Sequence, residues 1–106
     1  MYKFKTKAAA DVIMMGPPGD QVLKLLGREP SAKGIIEPQD MPAVIATLEQ
    51  AVKDEEARRE QAEAEAAEEG RKLPPFEGVS LRQRVWPLIE SLRRSHGANV
   101  PVVWGV

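Results

Sequence analysis

The first residues of the chain alternate between apolar or neutral and charged side chains. In an extended chain, one face would carry Tyr2, Phe4 and Thr6, and the other face would carry Lys3, Lys5 and Lys7. This period of two predicts a half-buried strand with its lysines in water. The apolar run 12–15 has the length of a second strand, and the Gly-Pro-Pro-Gly motif at 16–19 predicts a turn after it. We expect the two strands to pair with each other as a hairpin.

After the second strand, two segments have apolar residues at helical spacing, and each predicts a helix. Asp20 is placed to cap a short helix that ends at Gly27, a residue suited to a left-handed backbone. Asp40 is placed to cap a longer helix, where Pro42 in the first turn costs no hydrogen bond. The apolar stripe of the longer helix is formed by Met41, Val44, Ile45, Leu48 and Val52. Between the two helices, residues 34–36 form a possible short extended piece.

A third helix and a last strand complete the pattern. Ser80 with Gln83 fits a capping box, so the third helix is predicted to begin at Ser80. Its apolar stripe is formed by Leu81, Val85, Leu88, Ile89 and Leu92. Pro87 removes one backbone amide inside this helix and predicts a kink or a break. Pro101 indicates an edge strand or a strand start. The buried face of the last strand is predicted to carry Val100, Val102, Trp104 and Val106.

This order of elements, β-β-α-α-α-β, predicts the α+β class. We expect a small three-stranded, mainly antiparallel sheet, with the last strand beside the first and the helices packed on one face. The core is expected to contain Phe4, Val12, Met14, Leu23, Leu26, Val44, Ile45, Leu48, Val85, Leu88, Leu92, Val102 and Trp104.

Segment 53–78 lacks the periodic apolar residues that mark the other predicted elements. Residues 53–69 contain no large apolar side chain, although their alanine, glutamate and arginine residues still favour a helix that Gly70 can stop. The favourable pairs four residues apart are Asp54 with Arg58 and Glu55 with Arg59. We expect one domain over residues 1–106, with 53–78 as a projecting or partly disordered helix and connecting segment.

Composition narrows the classes of function. The chain has no cysteine and one histidine, which excludes a cysteine nucleophile and disfavours a transition-metal site. Its net charge of −1 gives no overall attraction to nucleic acid or acidic membranes. The alternating start is unlike a signal peptide, and no apolar run is long enough to span a bilayer. We therefore expect a cytoplasmic protein with no cofactor and no membrane partner.

His96 and the Gly-Pro-Pro-Gly motif are candidates for chemistry. His96 stands at the end of the third helix, where a capping cation explains it, and a general acid or base is the alternative. The motif could open a phosphate loop, but Asp20 beside it would repel a phosphate, so a structural turn is favoured. The scattered carboxylates show no acid/base spacing, and catalysis is not favoured.

Two charged segments are candidates for an interaction surface. The third helix has four arginines, and together with the lysines of the first strand they could bind phosphates. The lysines are also explained as protection of a sheet edge, and pairing of Arg82 with Trp86 and of Glu90 with Arg94 would use part of the charge. The acidic segment 54–69 could dock on the arginine helix, in the same chain or a neighbour, or stay solvated.

We interpret the chain as a non-catalytic interaction module that self-associates or binds a protein partner. The alternative is an anion or nucleic-acid binder that uses the arginine helix and the lysine strand. A homo-oligomer or a complex with another protein is expected, and nucleic acid is not favoured. The candidate contact residues are Arg82, Arg84, Trp86, Arg93, Arg94, His96, Glu55, Arg58 and Arg59. No residue is assigned to catalysis, a metal or a cofactor.

Four stretches of the sequence resemble a known family. They are YKFKTKAAADVIM at 2–14, KGIIEP at 33–38, SLRQR followed by WPL within 80–88, and VWGV at 103–106. These strings resemble a family of short, chiefly proteobacterial proteins catalogued as a domain of unknown function, family 1840. That family has no assigned activity, cofactor or catalytic residue. The resemblance implies a free-standing bacterial cytoplasmic protein.

Overall fold

The computed structural model describes residues 1–74 and 80–105. The fold is α+β, as the sequence predicts, and measures 51 × 25 × 23 Å. Its elements are β1 (Tyr2–Thr6), β2 (Ala9–Met14), α1 (Gly16–Leu25), β3 (Gly34–Ile36), a 3-10 turn (Pro38–Asp40), α2 (Met41–Glu68), α3 (Leu81–Ala98) and β4 (Val102–Trp104). The described residues therefore form four strands rather than the three expected.

The strands form one antiparallel sheet in the order β2-β1-β4-β3. The last strand lies beside the first, as predicted. The fourth strand is the short extended piece, which pairs Gly34 with Trp104 and Ile36 with Val102. Because β1 lies inside the sheet, the interpretation of its lysines as edge protection is wrong. Lys3 pairs with Ile13 on the face of the sheet opposite the core.

The pairing of β1 with β2 contains an irregularity. Phe4 pairs with Val12, and Thr6 pairs with Ala9, so β2 advances by three residues where β1 advances by two. This is the count of a β-bulge, with the extra residue in β2. The strand beyond the bulge, residues 12–14, keeps regular pairing.

The helices cover one face of the sheet and form the core with it. The fully buried large side chains are Trp104, Phe4, Leu23, Ile36, Met41, Leu48, Leu88, Ile89, Leu92, Val22, Val85 and Val102. Most of the predicted core residues are in this set or close to it. Val12, Leu26, Val44 and Ile45 are only partly buried and pack against its margin. Val22, Ile36, Met41 and Ile89 belong to the core although the predicted core set omits them.

Helix α1 begins earlier than predicted. Its N-cap is Met15, so the Gly-Pro-Pro-Gly motif is the first turn of the helix and not a separate turn. Prolines are tolerated in this turn because its amides have no helical acceptor. Asp20 lies inside the helix, where its carboxylate accepts a hydrogen bond from the Tyr2 hydroxyl, and its predicted capping role is wrong. Gly27 follows the helix with φ of 73°, as predicted.

Helices α2 and α3 begin largely where the sequence places them. Ser80 and Gln83 form the predicted capping box, whereas Asp40 is the N-cap of α2 without a side-chain hydrogen bond. Pro87 does not break α3, which continues through it to Ala98. Of the predicted kink or break, the break is therefore wrong.

Strand β4 is held by Trp104. Its indole is 1% exposed, lies 5.5 Å from the Phe4 ring and donates a hydrogen bond to the Ser31 carbonyl. Pro101 stands just before the strand, so it marks a strand start and not an edge. Of the face predicted for this strand, Val106 lies outside the described residues.

Candidate functional site

One side of α3 packs on α2 and holds most of the charge pairs between the two helices. Arg82 Nε donates to Glu56 Oε1 at 2.6 Å. Arg93 pairs with Glu49 on α2 and, at 2.9 Å, with Glu90 on its own helix. The predicted docking of the acidic helix on the arginine helix therefore occurs within the chain.

Other contacts, mostly within the same helix, replace several of the predicted local pairs. Glu90 pairs with Arg93 and not with Arg94, and the guanidinium 5.5 Å from the Trp86 ring centroid belongs to Arg93 and not to Arg82. The pairs within α2 also differ. Asp54 accepts a hydrogen bond from Gln50, and Arg59 pairs with Glu63 and donates to the Pro74 carbonyl. Among the described residues, Asp54 and Arg58 form no salt bridge with each other.

Glu55 caps α3 from outside that helix. Its Oε1 accepts a hydrogen bond from the backbone amide of Leu81 at 3.1 Å. That amide is in the first turn of α3 and has no acceptor within the helix. A carboxylate here also opposes the positive end of the helix dipole. Glu55 thus fixes the start of α3 against the middle of α2.

The Arg82–Glu56 pair shifts the pKa of both groups. The hydrogen bond from Arg82 lowers the pKa of the Glu56 carboxyl below its ordinary value of 4.5. The same hydrogen bond raises the pKa of Arg82. Both side chains are about half exposed, so water and salt weaken this pair.

A small cleft lies between α2 and α3 beside these pairs. Its volume is about 180 Å³. Val52, Trp86 and Ile89 form its apolar lining, and charged side chains stand around them. Trp86 is 42% exposed. The charged groups Glu49 and Arg93 pair with each other at this place, so the cleft is part of the α2–α3 packing.

The opposite side of α3 borders the edge of the sheet. Arg84, Pro87, Ser91 and Arg94 follow one another at helical spacing and line two adjoining cavities beside β2, of about 380 and 270 Å³. Residues 12–15 of the chain lie with Arg84, and residues 9–10 lie with Ser91 and Arg94. The helix and the strand therefore run in opposite directions along the same channel, which we call the β2–α3 groove.

Three polar groups of the β2–α3 groove have no partner among the described residues. The side chains of Arg84 and Arg94 form no hydrogen bond or ion pair with any described residue. The Ser91 hydroxyl is buried and likewise unpaired, and the residue is 2% exposed. Buried polar groups in proteins are nearly always hydrogen-bonded. The carboxylates that line the groove, by contrast, are paired, since Asp11 meets Lys3 and Glu90 meets Arg93.

The strand that forms the other wall is an edge of the sheet. β2 pairs with β1 on one side only. Exposed apolar side chains continue from this wall, with Ile13 58% and Met15 65% exposed. The opposite edge, β3, is half as long, and Arg28 donates to its Ile35 carbonyl at 2.8 Å. The longer edge is thus the one that lies next to arginines with no partner among the described residues.

The remaining predicted contact residues are dispersed. His96 is exposed in the last turn of α3, and its capping role stays a prediction. Arg58 is exposed on α2, away from the groove, and Arg59 contacts Pro74. Neither Ser91 nor the edge position of β2 is among the features predicted from the sequence. The spacing of Arg84, Pro87, Ser91 and Arg94 on one helix face was the signal available for them.

The described part of the chain contains neither a group of metal-binding side chains nor a membrane-spanning helix. Within residues 1–74 and 80–105, no three histidine, aspartate or glutamate side chains are grouped to hold a metal ion. In the same ranges, no helix combines the length and the apolarity that a bilayer crossing requires.

The fold and this surface define a small α+β protein with a four-stranded antiparallel sheet that carries helices on one face. The family model described as "Domain of unknown function (DUF1840)" matches residues 1–104, and the chain belongs to that family. This confirms the resemblance seen in the sequence. No curated protein and no solved structure matches the chain.

Proposed function

We propose that the protein is a non-catalytic interaction module, and that it binds an extended segment of a protein partner in the β2–α3 groove. The observation that carries this proposal is the unpaired edge of β2 beside a groove whose arginines have no partner in the described part of the chain. Backbone groups at an open edge are a template for another strand.

The dimensions of the groove suit an extended chain. β2 has six residues, which corresponds to about 20 Å of strand. The bulge limits regular pairing to residues 12–14, so main-chain bonds to the partner are expected there. The rest of the groove is left for side chains. A segment of about five to six residues fills this length.

The alternative of a nucleic-acid binder has less support. Two of the four arginines of α3 are paired with glutamates. Lys3 and Lys5 stand on the open face of the sheet, opposite the face on which α3 packs. The basic residues are thus divided between two surfaces, whereas a nucleic-acid site requires a continuous basic patch.

A selection from a random library of linear peptides tests the proposal. Successive amides of a strand point to opposite sides, so proline at Val12 or at Ile13 removes one amide toward β1 or one toward the groove. The variant that keeps its thermal unfolding temperature is the edge-blocked protein. Threonine at the same position keeps the amide and is the matched control.

We expect enriched peptides to bind the wild-type protein and the threonine control, and to lose affinity for the edge-blocked protein. Failure to enrich any peptide, or equal binding to the edge-blocked protein, contradicts the proposal. Light scattering at low and high salt tests a second copy as the occupant. A mass that doubles with concentration, and does not double in the edge-blocked protein, would assign the groove to self-association.

A further inference from the structure

We propose that the β2–α3 groove selects an extended segment with two carboxylates four residues apart, one for Arg84 and one for Arg94. This inference rests on the interaction role proposed above and adds the chemistry of the partner. It is carried by two guanidinium groups that have no partner among the described residues, and by the distance between their positions on α3.

The spacing follows from helix and strand geometry. Arg84 and Arg94 are ten residues apart on α3, a rise of about 15 Å along the helix axis. Four residues of a strand advance about 13 Å, and residues four apart point to the same face. A spacing of five would send the second side chain to the opposite face. The flexible arginine side chains span the remaining difference of about 2 Å.

The charges of the groove favour carboxylates. Its own acidic groups, Asp11 and Glu90, already have cationic partners. Arg84 is half-buried, and neither it nor Arg94 has an anionic partner among the described residues. A guanidinium binds a carboxylate through two parallel hydrogen bonds, which is the strongest common pairing of this kind. An incoming acidic segment would therefore meet uncompensated positive charge at both ends of the groove.

The middle of the groove favours one type of residue at the centre of the partner segment. Pro87 and Ser91 lie between the two arginines on the same face of α3. Pro87 presents an apolar ring, which favours a small apolar side chain midway between the carboxylates. The Ser91 hydroxyl lies behind this wall of the groove, buried and without a partner among the described residues. The expected partner sequence is thus an acidic residue at each end and a small apolar residue at the centre of five.

Short synthetic peptides test this specificity. The probe is acetyl-Thr-Glu-Thr-Val-Thr-Glu-Thr-amide, with its glutamates four residues apart. The comparison peptides have glutamine at both glutamate positions, or the second glutamate moved by one position. Affinity is measured by fluorescence anisotropy at low salt and again at high salt. The protein variants are Arg84→Gln, Arg94→Gln and, as a control outside the groove, Arg58→Gln.

We expect each arginine variant to weaken binding of the probe about tenfold, and Arg58→Gln to leave it unchanged. The glutamine peptide and the shifted peptide should bind at least about tenfold more weakly, and high salt should reduce affinity for the probe. Charge reversal at both arginines should restore binding to a probe with lysine in place of both glutamates.

Two results would overturn the inference. One is equal affinity for the probe and its glutamine form, and the other is equal affinity of wild type and both arginine variants for the probe. Either result leaves strand addition intact if library peptides still require the edge of β2. A failure of the library selection itself, by contrast, removes the interaction role. The two failures are therefore distinguishable.

Discussion

The Thr6 hydroxyl oxygen lies 2.7 Å from the Ser95 hydroxyl oxygen, and this contact joins β1 to α3 across the core. Ser95 Oγ also donates a hydrogen bond to the Ser91 carbonyl at 2.7 Å, so the Ser95 hydroxyl has two partners. One turn earlier on the same helix, the equally buried Ser91 hydroxyl has no partner in the described part of the chain. The two serines therefore have the same burial and opposite hydrogen-bonding states.

This difference predicts opposite effects of alanine at the two positions. Ser95→Ala should lower the free energy of unfolding by about 1 to 3 kcal/mol, because it leaves the Thr6 side chain without this partner. Ser91→Ala removes an unpaired buried hydroxyl and adds helix propensity, so it should raise the free energy of unfolding by about 0.5 to 1 kcal/mol. Urea unfolding measures both. A larger loss for Ser91→Ala than for Ser95→Ala would contradict the hydrogen-bonding assignment.

The contact of Gly34 with Trp104 predicts a steric requirement for glycine. A Cβ atom at position 34 would lie 2.2 Å from the Trp104 ring. Because Trp104 is buried, the ring has no free space to move into, and Gly34→Ala should cost about 1 to 3 kcal/mol.

The control is Gly97→Ala, since position 97 lies within α3 and a Cβ there meets no atom within 4 Å. Alanine there should be neutral or stabilising by up to about 1 kcal/mol. Thermal unfolding of both variants provides the comparison, and the steric account fails if Gly34→Ala unfolds at the wild-type temperature.

Because the Glu55 carboxylate caps the start of α3, we expect substitutions of Glu55 to lower the free energy of unfolding by different amounts. Glu55→Gln keeps an oxygen acceptor for the Leu81 amide but loses the charge, whereas Glu55→Ala loses both. Alanine should therefore cost about 0.5 to 2 kcal/mol, in the range of a lost helix cap, and glutamine should cost less. Chemical unfolding followed by circular dichroism measures the order of the two variants. Equal losses would show that only the charge matters.

The Glu56–Arg82 pair predicts a dependence of stability on pH. The pKa of the Glu56 carboxyl is lowered in the folded chain, so its pairing stabilises the fold above pH 4.5, its ordinary value. The stabilisation is lost as the pH falls through the lower folded pKa. Glu56→Gln should thus be less stable than wild type at neutral pH, and the difference should shrink on acidification. A difference that stays constant down to pH 2 would contradict this linkage.

The local signals in the sequence predicted the elements well and their neighbours poorly. The capping box at Ser80 and the glycine at 27 depend on short-range chemistry, and both are confirmed. The Gly-Pro-Pro-Gly motif was predicted as a separate turn but is the first turn of α1. Proline is common both in turns and in the first turn of a helix, so the motif does not distinguish them. Alternation in β1 likewise indicates two faces but not which strands lie on either side.

The candidate groove could not be predicted because it depends on contacts between distant residues. Arg93 pairs with Glu90 on its own helix and also with Glu49 on α2. Arg94, which local spacing pairs with Glu90, has no partner among the described residues. The edge position of β2 depends on β4 returning from the end of the chain to pair with β1. Neither fact is encoded in a local pattern.

The most direct test of the central claim is amide hydrogen exchange of the protein with and without the two-glutamate probe. At a probe concentration of about 100 Kd, the groove-facing amides of residues 12–14 should exchange about a hundredfold more slowly. The amides of β3 at the opposite edge should be unaffected. Protection confined to β3 or α2, or no protection of β2 when the probe is bound, would contradict the assignment of the β2–α3 groove.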